Sequence, residues 1–379
     1  MYTRRFASPG QSYFLLGPRG CGKTTWLRAT FKDAYFVDLL SEDRFQRLLV
    51  DPGRFADELR AVPPGRWVVL DEVQRLPALL NEVHRFIEEK RLQFVLCGSS
   101  ARKLKRAGVN LLAGRALRRA MHPFVPEELG DSFDLETALT EGLLPLVWDS
   151  SDRAETLTAY GQLYLKEEIQ AEAVVRNLPG FARFLPIAAL CHGQAMNIAN
   201  IAREAGVART TVAGYLDILE ETLLCFRVPG FEPKLRIRER KLPKWYWCDP
   251  GIVRAMRRSH GPLVPEERGA LFEGLVAQLL RAYRDYTGFC DDITYWSAER
   301  RTTEVDFVLT RGEQHLAIEA KSGAAFSDRW CQGLRAIAPL PGLTRRLIVY
   351  PEGPRLMTED GIEVLSFAAL AEMLAAGEL

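Results

Sequence analysis

The sequence predicts an α/β fold, with a parallel sheet wrapped by helices in its N-terminal third and a second, separate α/β unit near its C-terminus. Three observations predict it. An apolar run breaks into a glycine-rich loop before a helical segment (residues 12–30), strands and helices then alternate as far as residue 96, and new apolar strands follow residue 268.

In order, the apolar run 12–16 reads as a strand, the glycine loop follows, and 24–30 reads as a helix. Strands at 35–37, 67–70 and 94–96 are separated by helices at 44–50, 54–60 and 79–90, the pattern of a parallel sheet covered on both faces. After Pro123 and Pro126 the chain turns helical, at 135–139 and 155–175, which suits an all-α lid. Short and longer helices at 198–202 and 210–219 flank Gly206 as a helix-turn-helix, and 223–231 and 242–247 supply strands for a wing. A helix at 271–283 then precedes strands at 293–296, 304–309 and 316–320, a helix near Trp330 and a strand at 346–350. The Gly/Pro-rich turn 260–265 is the best linker candidate.

A chain of 379 residues exceeds what one core usually organises, so two or three domains are expected. With 47% hydrophobic and 26% charged residues and no run approaching the roughly 18 apolar residues of a membrane span, the chain reads as soluble, with no membrane association. No apolar segment follows Arg4 and Arg5, so a secretory signal is not expected and a cytoplasmic location is. The seven cysteines are odd in number and never spaced as CxxC, which argues against a disulfide framework and a structural zinc site. A net charge of +1 hides two basic stretches, 101–120 and 234–258; each is either a solvated face or a phosphate-binding surface.

The loop Gly17-Pro18-Arg19-Gly20-Cys21-Gly22-Lys23-Thr24, with Thr25 after it, has the spacing GxxxxGK[ST]. Glycine tolerates φ > 0 and offers no Cβ, so successive N–H groups can turn inward to phosphate. Lys23 then meets the β- and γ-phosphates of ATP, Thr24 puts a hydroxyl on Mg²⁺, and the following helix aims its positive end at the anion. The apolar strand ending in Asp71-Glu72 supplies the second half: Asp71 for the Mg²⁺ shell, Glu72 to orient or deprotonate the attacking water. The third strand ends in Gly98-Ser99-Ser100, between the two motifs, and Ser99 is preferred over Ser100 as a hydroxyl near the γ-phosphate; the alternative is a serine cap for a helix at 101–105. Arg115 is a candidate arginine finger toward its own ATP or a neighbour's, or else a surface arginine.

Together Gly17-Pro18-Arg19, Gly22-Lys23-Thr24-Thr25, Leu70-Asp71-Glu72-Val73-Gln74, Gly98-Ser99-Ser100, Leu112-Ala113-Gly114-Arg115, Phe272-Glu273 and Glu304-Val305-Asp306-Phe307 resemble a prokaryotic AAA+ family. In that family an AAA domain with a GPRxxGKTT-type loop precedes the domain DUF4143, and the resemblance covers nearly the whole chain. It implies an AAA+ core (1–123), a helical lid (124–185), a winged helix (186–260) and a fold similar to PD-(D/E)XK nucleases (261–379). An AAA+ core joined to a winged helix also looks like the bacterial motor that migrates Holliday junctions.

The nuclease-like signature also has its own chemistry. Asp306 lies on one apolar strand and Glu319-Ala320-Lys321 ends the next, so alternation puts Glu319 and Lys321 on one face beside Asp306. The two carboxylates are expected to bind Mg²⁺ and Lys321 to stabilise or activate the hydrolytic water, with Glu273 completing the metal shell. In the helix-turn-helix, Arg209, Thr210, Thr211 and Tyr215 are expected to face a DNA groove or phosphates, helped by Arg236, Arg238, Arg240 and Lys241; the alternative is docking to a protein. The sequence therefore predicts an ATP-driven, ring-forming homo-oligomer acting on duplex or branched DNA in repair or recombination. The competing readings are a nucleotide-controlled switch for a protein partner and an ATP-regulated nuclease.

Overall fold

Five short strands form the N-terminal sheet: β1 Tyr13–Leu16, β2 Tyr35–Asp38, β3 Trp67–Asp71, β4 Gln93–Gly98 and β5 Leu117–Ala120, in the order β2-β3-β4-β1-β5. The structure is a computed structural model that describes residues 2–99, 114–164, 178–232, 242–259, 261–298 and 303–379. Every pair in this sheet is parallel, and Leu16 lies level with Gly98 and Ala120, as Asp38 does with Asp71. All five C-terminal strand ends thus meet along one edge, where open α/β sheets hold ligands.

Helices α1 Lys23–Thr30, α2 Glu42–Val50, α3 Gly53–Ala61 and α4 Leu80–Lys90 cover the sheet, packing Leu48, Phe55, Leu59, Val83 and Phe86 onto Val37, Val68 and Phe94. Phe6–Pro123, grouped with Asp217–Leu224, makes one compact unit. Strand β5 comes from the tail of the first basic stretch, whose residues 101–113 lie outside the described residues. Its sequence Leu-Arg-Arg-Ala lacks an apolar alternation because it is an edge strand, where arginine discourages further pairing.

The second unit comprises Met1–Arg5, Phe124–Leu216 and Cys225–Leu379. Its helices begin with α5 Pro126–Leu129, α6 Leu135–Thr140, α7 Pro145–Trp148 and α8 Arg153–Ala159, the last running on into a π turn at Tyr160–Tyr164 within the helix expected at 155–175. Residues 165–177 lie outside the described residues, and α9 Leu178–Leu190 follows. Helix α10 Ile198–Ala205 is capped by Asn197 and ends on left-handed Gly206, and α11 Arg209–Glu221 completes the helix-turn-helix. Tyr215 does not face solvent as expected. It is buried on the inner side of α11, edge-on to Phe181 at 4.9 Å.

Three antiparallel strands, β6 Gln194–Ala195, β7 Cys225–Val228 and β8 Lys244–Trp247, are ordered β6-β8-β7. Helices α12 Pro250–Arg257 and α13 Pro265–Thr287 follow, then strands β9 Asp292–Ser297, β10 Glu304–Arg311, β11 Gln314–Ala320, β12 Leu343–Tyr350, β13 Leu356–Met357 and β14 Glu363–Ser366 with helices α14 Gln332–Ala336 and α15 Phe367–Ala376. These strands make a mixed six-stranded sheet in the order β13-β14-β12-β11-β10-β9.

The second basic stretch is not a uniform surface. Residues 233–241, with Arg236, Arg238, Arg240 and Lys241, lie outside the described residues. Arg254, on α12, is buried, pairs with Glu267 at 3.3 Å and donates to the carbonyl of Thr140 at 3.2 Å. An arginine committed to a buried carboxylate and a carbonyl is structural, not a phosphate ligand.

Helix α13 lies tight against buried His192, whose imidazole burial holds neutral, down to about 3. A Cβ on Gly274 would come within 1.9 Å of its Nε2, whereas one on exposed Gly269 of the same helix would meet only Ser322 Oγ at 3.8 Å, an ordinary contact. We expect Gly274→Ala to destabilise the chain by about 1–3 kcal/mol through overpacking. Gly269→Ala should instead be neutral or stabilise by up to about 1 kcal/mol. Urea unfolding of the two variants checks this; equal shifts would refute the packing account.

Candidate functional site

The loop after β1 is shaped by two left-handed glycines, Gly20 at φ 78° and Gly22 at φ 84°. Gly17 is required for a different reason: a Cβ there would lie 2.4 Å from the carbonyl oxygen of Met121 and 2.9 Å from Cys21 Sγ. The loop thus passes so close to the chain leaving β5 that no side chain fits. Helix α1 begins at Lys23 with no side-chain cap and no acidic residue in its first turn, which leaves its first N–H groups and positive end for an anion.

Lys23 is buried and its ammonium donates to the carbonyls of Gly17 at 2.8 Å and Pro18 at 3.1 Å. Burial disfavours its charge, but Cys21, Cys97, Glu72 and Asp71 hold it protonated, above the ordinary lysine value. The Thr24 hydroxyl donates to Asp71 Oδ2 at 2.7 Å, joining the loop to the end of β3. Asp71 is fully buried, and its Oδ1 accepts the N–H of Glu72 at 3.1 Å. Arg19 and Thr25 are exposed on the outer side of the loop.

Because β4 lies between β3 and β1, Ser99 emerges between the two motifs, as its place in the sequence implied. Gln74, part of the Leu70-Asp71-Glu72-Val73-Gln74 segment but given no role by the sequence alone, connects them: its amide nitrogen donates to Glu72 Oε2 and, at 3.2 Å, to Ser99 Oγ. Its side chain fills the space over Gly98, where a Cβ would lie 2.3 Å from Oε1. Glu72 is held in the left-handed region at φ 57°, a strained conformation for glutamate that clusters at functional sites. The signal for Gln74 was present as a polar residue two positions beyond the acids, on the turn Val73–Arg75.

Arg115 stands apart from this group. It precedes β5, whose first residue Leu117 pairs with Tyr13 at the start of β1, so it lies at the edge opposite the glycine loop. About 13 Å of extended strand separates the two edges, and the guanidinium is paired with Glu88. Contact with its own loop is therefore not available to it in this arrangement.

In the second unit Asp306 on β10 and Glu319 on β11 do come together. Asp306 N–H donates to Glu319 Oε2 at 3.4 Å, Ala320 N–H to Asp306 Oδ2 at 3.0 Å, and Lys321 Nζ to Glu319 Oε1 at 2.5 Å. Glu273 on α13 joins them through Lys244, on β8 of the expected wing. Lys244 Nζ lies 3.1 Å from Glu273 and 3.2 Å from both Asp306 and Glu304. Tyr246, on the same face of β8, donates to Glu273 at 2.5 Å. Burial and the neighbouring Asp306 charge push both Glu273 and Glu319 well above the ordinary carboxylate range.

The Mg²⁺ shell expected of Glu273, Asp306 and Glu319 does not fit this geometry, because Lys244, Lys321 and backbone N–H groups already take both oxygens of Asp306 and Glu319, and Lys244 and Tyr246 share one oxygen of Glu273. Among the described residues no group of three or more His, Cys, Asp or Glu side chains is set to hold a metal ion.

A parallel sheet that sends a glycine loop, an acidic strand end and a serine from one edge, around a buried lysine, defines a P-loop domain. Residues 10–130 match the AAA domain family, residues 132–262 a domain of unknown function (DUF8612), and residues 268–370 a domain of unknown function (DUF4143). The chain is thus similar to an AAA domain in its N-terminal third and to a DUF4143 domain near its C-terminus. The chain is 26% identical over 375 residues to the uncharacterized protein Rv2008c of Mycobacterium tuberculosis and equally to Mb2031c of Mycobacterium bovis, spanning 95% of this chain and 82% of each relative. Among solved structures, the Aeropyrum pernix ORC1 protein in complex with DNA is 15% identical, with a TM-score of 0.28 over 67% of this chain and 87% of that one. Can2 from Sulfobacillus thermosulfidooxidans in complex with cyclic tetra-adenylate is 12% identical, with a TM-score of 0.22 over 97% of this chain and 98% of that one. Among the described residues no helix is long and apolar enough to cross a membrane.

Two substitutions test the nucleotide site. Gly17→Ala should abolish nucleotide binding measured by calorimetry while secondary structure by circular dichroism is kept. Gln74→Leu should lower the ATP turnover number about tenfold or more with ATP affinity unchanged, the pattern of a group that acts in the transition state; a loss of affinity alone would contradict it.

Proposed function

We propose that this chain is a Mg²⁺-dependent ATPase that uses nucleotide hydrolysis to act on DNA through its C-terminal unit. The observation that carries the hydrolytic part is the convergence of the glycine loop, Lys23, Thr24, Asp71, Glu72 and Ser99 on one sheet edge. The donor set fits a nucleotide: backbone N–H groups of residues 19–24 would face the phosphates, Lys23 would exchange its carbonyl partners for the β- and γ-oxygens, and Thr24 with Asp71 would hold the metal. Bound Mg²⁺ supplies charge neutralisation at the phosphates. Glu72 orients the attacking water or takes its proton, with Gln74 setting its position against Ser99.

Four parts serve this activity: the core 1–123, a lid at 124–185, a winged helix at 186–260 and a nuclease-like fold at 261–379. Arg115, at the edge away from its own loop, suits a neighbour's nucleotide in a head-to-tail ring. For DNA, the support is the helix-turn-helix beside a three-stranded sheet, with Arg203, Arg209 and Thr210 exposed on the two helices. Phosphate contacts of this kind make binding salt-sensitive and tolerant of sequence, which fits duplex or branched DNA in repair or recombination. DNA cleavage is not part of the proposal, given the ammonium in the acidic cluster.

We expect ATP turnover, with Mg²⁺ present, to rise several-fold on adding duplex, forked or four-way-junction DNA. Arg209→Ala should reduce that stimulation and leave the basal rate unchanged. Turnover indifferent to every DNA would overturn the DNA reading and favour a nucleotide-controlled switch that docks a protein.

A further inference from the structure

The acidic cluster of the C-terminal sheet carries more than a missing ligand set. Strand β8 is buried along its whole length, and alternation turns Lys244 and Tyr246 to the same side, away from Trp245 and Trp247. That side faces Glu273 on α13 and Glu304 and Asp306 on β10. The Lys244 ammonium donates to Glu273 Oε1 at 3.1 Å and Asp306 Oδ1 at 3.2 Å and forms an ion pair with Glu304 at 3.2 Å. The remaining oxygens of the central acids are also engaged. Asp306 Oδ2 takes the Ala320 N–H, while Glu319 gives one oxygen to Lys321 and the other to the Asp306 N–H. Lys244 is itself nearly fully buried, at 4% exposure, so its charge is committed here and not to solvent.

We propose that the Lys244 ammonium is the resident cation of this cluster, standing where a divalent ion would sit in a hydrolytic site, so that the acids of the C-terminal sheet are neutralised without a metal. The exclusion is electrostatic. A cleft of ≈ 340 Å³ lined by Leu242, Lys244, Tyr295, Ser297 and Glu304 reaches the cluster, so an ion has access. An incoming Mg²⁺ needs oxygens at about 2.0–2.1 Å in an octahedron. It would meet a fixed positive charge bonded to those same oxygens, and would have to expel a lysine whose stem is anchored in a buried strand. Hydrolysis is thus denied its metal, while the charged, rigid junction of β8, α13 and β10 persists as a scaffold. The inference concerns the second unit alone and stands or falls independently of ATP hydrolysis.

Mn²⁺ is the probe. The nucleotide-free full chain is titrated with Mn²⁺, and free ion is counted by electron paramagnetic resonance, for the wild type, Asp306→Asn, Lys244→Met and the double variant. We expect the wild type and Asp306→Asn to bind alike. Lys244→Met should gain one ion, held about tenfold or more tighter than any the wild type holds at the cluster, and the double variant should lose it. A Mn²⁺ site in the wild type that Asp306→Asn removes would overturn the proposal, as would a folded Lys244→Met chain that gains no ion. Should Lys244→Met fail to fold, the comparison of wild type with Asp306→Asn decides alone.

Discussion

The hydrogen bond from Thr24 to Asp71, 2.7 Å long, ties the start of α1 to the end of β3 across an intervening strand, and the nucleotide site depends on that register. It forms because all five strands are parallel, so every loop that carries chemistry leaves the same edge. It also requires Gly17, since any larger residue would strike the Met121 carbonyl and lift the loop from the sheet. Backbone approach and strand order therefore set where Lys23, Glu72 and Ser99 stand, and the side chains complete what the backbone has arranged.

Much of this was legible in the sequence because glycine spacing and apolar runs are backbone statements. Gly20 and Gly22 mark left-handed positions, and the apolar run Trp67 to Leu70 reads as the strand it forms. The legible part ends where the decisive contact is long-range. Gln74 reads as an ordinary turn residue until β4 brings Ser99 and Gly98 against it. Arg115 reads as a finger by type and context, yet the pairing of Leu117 with Tyr13 fixes it at the wrong edge for its own loop.

The second unit repeats the lesson with charge. Lys244 and Arg254 belong to a basic stretch that reads as a solvated face or a phosphate-binding surface; both are instead buried against carboxylates. A lysine 62 residues from its partner Asp306 leaves no local pattern. Tyr215 likewise differs from Arg209 and Thr210 only by the turn of helix it occupies, and that turn faces Phe181 and Phe184. What distinguishes the two units is what their acids touch: Asp71 accepts a hydrogen bond from a neutral threonine hydroxyl, whereas Asp306 is ion-paired with a buried ammonium.

The central claim is that Thr24 and Asp71 form a Mg²⁺ site that exists for nucleotide. The most direct measurement is ATP binding by calorimetry with and without Mg²⁺, in the wild type and in Thr24→Val. The account predicts affinity that Mg²⁺ raises in the wild type and leaves unchanged in Thr24→Val. Binding insensitive to Mg²⁺ in the wild type, or equally strengthened by it in both chains, would contradict it.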